Sequence, residues 1–102
     1  MDAYIYQAAL YCERCGEAIR KGLIMTGYAH PSDVTKYDSE QYPQGPLADG
    51  GGPGDCPAHC DACGVFLENP LTIAGLRYVK EAVQAGTGDP ETLAEWAALY
   101  LS

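Results

Sequence analysis

A chain of 102 residues has room for one domain, and a domain this small buries proportionally little surface, so it often depends on a staple. An apolar fraction of 47% with 20% charged residues excludes wholesale disorder. The formal charge of -8, from 14 acidic and 6 basic residues dispersed along the chain, repels phosphate backbones and speaks against direct nucleic-acid binding.

The opening stretch MDAYIYQAALYC starts with an acid and has neither a basic segment nor a long apolar core, so it does not read as a secretory signal. No stretch reaches the length of a membrane span. The expectation is a cytoplasmic protein with reduced thiols. Within the opening stretch, AYIYQAALY (Ala3 to Tyr11) is rich in aromatic and small apolar residues and predicts a strand running into the first cysteines. GEAIRKGLIM follows, and its Gly22 and short length balance a helical turn against a second strand, with the balance leaning to a hairpin.

Residues 26–59 are dense in Gly, Pro, Asp and Tyr and predict a long loop inside a single 1–102 domain, either functional or a linker. Tyr28, Tyr37 and Tyr42 argue for partial packing, because disordered linkers are poor in aromatics. DGGGPGD reads as flexible, and its glycine run lacks the Lys-Ser/Thr and following helix of a phosphate loop.

Beyond it, Thr72 reads as a helix cap, and Ile73, Leu76, Val79 and Val83 recur at helical spacing until Gly86 and Gly88. Asp89 caps a second helix with Pro90 at its first position, and Leu93, Trp96, Ala97 and Tyr100 form its apolar stripe. The two helices predict an αα-hairpin, with Leu76, Val79, Val83, Leu93 and Trp96 mostly buried.

The phrase C-x-x-C-G occurs twice, at Cys12 and Cys15 followed by Gly16, and at Cys60 and Cys63 followed by Gly64. Zinc takes four tetrahedral ligands, and structural sites commonly receive four thiolates as two such pairs. A glycine after each pair suits a backbone turning around an ion, where positive φ is needed. A redox site of the thioredoxin kind uses one pair at a helix start, so a second matched pair is superfluous there. The expected site is therefore structural Zn2+ held by Cys12, Cys15, Cys60 and Cys63. Cys56 and His59 are weaker candidates as replacement ligands, since neither has a counterpart near Cys12. Residues 16–59 separate the pairs, well beyond the roughly 15–20 of a compact ribbon, so the Tyr-rich segment must loop out between them.

Catalytic patterns do not emerge. A zinc deaminase needs a glutamate two residues after an upstream histidine, and the pattern here is His30-Pro31-Ser32. The double C-x-x-C-G pattern resembles the zinc-ribbon and zinc-knuckle class, and YPQGP through HCDACGVFLENPLT is similar to small uncharacterised zinc-ribbon-type proteins of bacteriophage and bacteria. The resemblance implies a phage or mobile-element origin and binding to nucleic acid or to a larger protein machine. Because the basic residues are interleaved with acids, a protein partner is the better expectation.

The whole predicts an α+β fold, with a small zinc-bearing β-hairpin region packed against the C-terminal helix pair. The expected function is a zinc-stabilised protein-interaction module binding a host or phage protein through Tyr37, Tyr42, Asp38 and Glu40 of the loop. The alternative is an acidic mimic of nucleic acid that inhibits a nucleic-acid-binding protein, and a weaker one is a metal- or thiol-dependent enzyme using Cys56 and His59.

Overall fold

A computed structural model describes residues 1–102 and shows an α+β architecture. The predicted first strand is a hairpin instead: β1 (Ala3–Tyr6) and β2 (Ala9–Cys12) pair antiparallel in the register Ala3 to Cys12 and Tyr6 to Ala9. Gln7 and Ala8, both at positive φ (49° and 61°), make the two-residue turn, whose left-handed geometry matches strand twist. Neither residue favours that conformation. The turn is held from outside, by the Gln7 amide donating to Ser39 O at 2.9 Å.

The leaning toward a second hairpin after Cys15 is overturned. Glu13–Met25 is a helix, α1, capped by Cys12, whose Sγ accepts from the Cys15 amide at 3.5 Å. Gly22 is tolerated because it lies on the exposed face, where lost propensity costs only about 1 kcal/mol.

The 26–59 segment is built into the fold. It contributes short 3-10 turns at Pro31–Asp33 and Asp49–Gly51, and the strand β3 (Gln44–Leu47), which pairs with β1 to complete a sheet of order β2-β1-β3. Arg20 of α1 pins it. The guanidinium lies 4.7 Å from the Tyr4 ring centroid and 4.9 Å from that of Tyr42, and its Nε donates to Pro43 O at 2.9 Å. DGGGPGD is fixed as well: the Gly50 amide donates to Met1 O, and Gly54 exchanges backbone bonds with Pro70 and Thr72.

Two further helices, α2 (Ile73–Ala85) and α3 (Pro90–Tyr100), pack against each other. Their caps are those the sequence announces: Thr72 Oγ1 accepts from the Gly75 amide at 3.1 Å, Asp89 Oδ2 from the Thr92 amide at 3.1 Å, and Gly86 ends α2 at φ 64°. Burial of the pair is thinner than expected. Val79 is fully buried, Val83, Leu93 and Trp96 are half-buried, and Leu76 is exposed. The reason is where the helices lean. They rest on residues 54–69 and not on the sheet, through Gly75 against Gly54 O, the Phe66 and Tyr100 rings 5.8 Å apart, and the Tyr100 hydroxyl donating to Asn69 O. The result is an elongated molecule of 49 × 22 × 18 Å.

Candidate metal centre

Between the sheet and residues 54–69 lies a small core of Ala3, Cys12, Cys60 and Leu67, with Leu10, Tyr11, Cys15 and Ala58 packed around it. Two different local structures deliver its thiols. Cys12 ends β2 and caps α1, so Cys15 falls in the first turn of α1, on the same side of the chain. The second pair sits in a tight knuckle: the Cys60 amide donates to Val65 O at 2.9 Å, the Gly64 amide returns to Cys60 O at 2.8 Å, and His59 bridges to Phe66. The knuckle is then sewn to the sheet by the Asp61 amide donating to Leu10 O at 2.8 Å.

The two glycines expected to act alike do not. Gly64 has φ 79°, as the turn requires. Gly16 is helical, and is glycine because a Cβ there would run into the Tyr4 ring.

Cys12, Cys15, Cys60 and Cys63 converge, their Sγ atoms all within 4.8 Å of one another. The Cys12 and Cys63 sulfurs are 3.7 Å apart, far beyond a disulfide bond of about 2.05 Å and close to the roughly 3.8 Å edge of a tetrahedron with 2.3 Å metal–sulfur bonds. All five cysteines are free thiols. The four-sulfur group fits a metal ion both in donor chemistry and in spacing.

Electrostatics within the cluster are uneven. Burial pushes Cys60 up, but the amide N–H groups of Cys12, Cys63 and Ala62 outweigh it and bring that thiol down to about 6. Cys15 is pushed up to about 12, chiefly by its bond with the Cys12 side chain, then by burial and by Cys60 and Cys63. Four sulfurs this close resist carrying four charges unless a cation sits among them.

Cys56 and His59 stand outside the group. Cys56 is exposed. The His59 ring is committed at both nitrogens: its Nε2 accepts from Trp96 Nε1–H at 3.0 Å, which leaves the proton on Nδ1 to donate to Gly64 O at 2.9 Å. It is a tie between knuckle and α3, not a ligand. The importance of Asn69 was not read from the sequence. Buried at 2% exposure, it takes the Ala58 amide on Oδ1 at 2.7 Å and donates to the carbonyls of Cys56 and Pro70, bracing the chain on either side of the knuckle. A lone Asn before Pro carries no signal of such a role.

The loop residues expected to face a partner divide. Tyr42 is 5% exposed and belongs to the interior, because Arg20 and Tyr37, its ring 5.9 Å away, enclose it. Tyr37 is half-buried and accepts from the His30 amide. Asp38 and Glu40 are exposed but close their own turn, the Glu40 amide donating to Asp38 Oδ1. The exposed tyrosine of the segment is Tyr28, at 83%.

No helix is long and apolar enough to cross a membrane. Compared with known protein families, curated proteins and solved structures, the chain has no significant match.

Proposed function

We propose that the chain is a zinc-stabilised protein-interaction module. The observation that carries the reading is the four-sulfur group, which brings the β2–α1 junction and a knuckle more than forty residues later together with all four Sγ atoms within 4.8 Å. Zinc suits such a site because it imposes no geometry of its own and needs no redox partner. The site supplies a closed set of four ligands, with no position kept open for a substrate, as structural sites do. A thiol cage of this kind also suits a reducing compartment.

The interaction half of the proposal draws on exposed side chains that a free surface does not favour. Met25 and Tyr28 at the end of α1 are 75% and 83% exposed, and Ile73, Tyr78 and Leu99 on the helix pair are 79%, 49% and 47% exposed. In this reading the zinc-ribbon-like part is the rigid base, and the helical hairpin and the α1 end present the contacts.

The test is elemental analysis of protein purified under reducing conditions, with a visible spectrum taken alongside. One zinc per chain and no absorption bands are expected. Iron with thiolate-to-metal bands would make the site a redox centre, and folded protein without metal would remove the reading.

A further inference from the structure

The C-terminal helices leave a groove of about 450 Å³ between the outer face of α2 and the end of α3, lined by Ile73, Leu76, Arg77, Lys80, Tyr100 and Leu101. We propose that this groove docks an acidic amphipathic helix of a partner protein. The inference deepens the interaction-module reading and rests on it.

Three observations select this occupant. The first is the apolar floor. Ile73, Leu76 and Leu101 are 79%, 39% and 37% exposed, and Ile73, Leu76, Arg77 and Lys80 stand at i, i+3, i+4 and i+7, one continuous stripe. The stripe has aliphatic groups at the N-terminal end of α2 and cations toward its C-terminal end.

The second is charge. The chain carries -8 overall, yet two of its six basic residues flank this groove. They are unpaired: the molecule's one ion pair joins Asp33 and Lys36, and Glu81, a turn beyond Arg77, is not in ion-pair contact with it. Carboxylates on the occupant would meet Arg77 and Lys80 while its aliphatic residues covered Ile73, Leu76 and Leu101.

The third is shape. The groove lies between two helices and its apolar floor is partly open to solvent, a form that a helix laid on it would cover. An anionic membrane or a second copy of this chain would bring a broad negative surface against a protein of the same sign. A peptide with a few acids feels chiefly the local field, within about 8 Å at physiological salt.

The experiment is a selection of displayed random 16-residue peptides on the intact, metal-loaded protein, followed by titration of the best synthetic peptide. Enriched sequences are expected to pair aliphatic residues at helical spacing with Asp or Glu. Amide shifts on binding should centre on Ile73, Leu76, Arg77, Lys80 and Leu101. Combined Arg77→Glu and Lys80→Glu, both at exposed positions, should weaken binding about tenfold and, on reselection, favour basic peptides. Ile73→Asp should abolish binding with the fold intact by circular dichroism.

No enrichment, enrichment without acids, or affinity unchanged in the charge-reversed protein would each overturn the proposal. So would a concentration-dependent dimer abolished by Ile73→Asp, since the occupant would then be a second copy. These outcomes are separable from failure of the module reading, which is decided by metal content and leaves other surfaces available to a partner.

Discussion

Cys56 and Cys60 lie four positions apart, yet one thiol is exposed and outside the cluster while the other is 3% exposed at its centre. Substitution should separate them sharply. Cys60→Ser or Cys12→Ser should weaken metal retention by more than about 100-fold, whereas Cys56→Ser should leave the metal-to-protein ratio unchanged, as read by elemental analysis after dialysis. The tyrosines make a second prediction. Tyr4, Tyr11 and Tyr100 all have raised pKa values, each chiefly because burial strips water from the phenolate. Arg20 partly offsets this at Tyr4, while Asp61 adds to it at Tyr11 and Glu68 at Tyr100. A group whose folded pKa exceeds its unfolded value binds more protons folded than unfolded, so its stabilisation is complete below about pH 10 and is lost as pH climbs through the folded values. The tyrosine contribution to the denaturant midpoint should therefore hold to about pH 10 and fall above it, in step with phenolate absorbance. Midpoints that stay flat to pH 11.5 would show these rings to be accessible.

Helix α1 turns on Gly16, which a propensity scale marks as a weak point. In an ordinary helix Gly→Ala gains about 1 kcal/mol, but here the added methyl meets the Tyr4 ring. Gly16→Ala should instead destabilise by about 1–3 kcal/mol in urea titrations, and a stabilised variant would mean that Tyr4 can move aside. The same element shows what the sequence conceals. The caps and terminators of α2 and α3 are local, so Thr72, Gly86, Asp89 and Pro90 announce those helices without reference to the rest of the chain. By contrast, α1 buries only Gly16 fully, and its stripe of Cys15, Ile19 and Leu23, all half-buried, is interleaved with two glycines that speak against a helix. The QGPL of β3 has no β-branched residue, and becomes a strand because β1, some forty residues earlier, offers a free edge.

Across the whole molecule, an ion bound by the four thiols would close the long segment between the pairs, worth about 4 kcal/mol in a chain-entropy estimate for a loop of that size. Chelation should accordingly unfold the region around the core first, with amide exchange accelerating at Ala3, Cys12, Cys60 and Leu67, while α2 and α3 retain more of their far-ultraviolet signal. Equal loss across all elements would make the fold one cooperative unit. The cysteine site was legible in advance because C-x-x-C is a short-range signature that survives any intervening sequence. The burial of Tyr42 is not legible, for the opposite reason. Its burial depends on Arg20, 22 positions away, and a tyrosine in a polar stretch looks the same whether a cation covers it or water does.

The hydrogen bond between Trp96 and His59 has an optical consequence. The chain contains a single tryptophan, and its indole N–H is held by the residue immediately before Cys60. A zinc ion in the four-cysteine site would have no spectrum of its own, but the emission of Trp96 is positioned to report on it. If the knuckle loosens, the indole loses its partner and gains water, and the fluorescence should shift to the red. Release of an ion from the site would then be observable in real time, without label or dye, in a stopped-flow instrument.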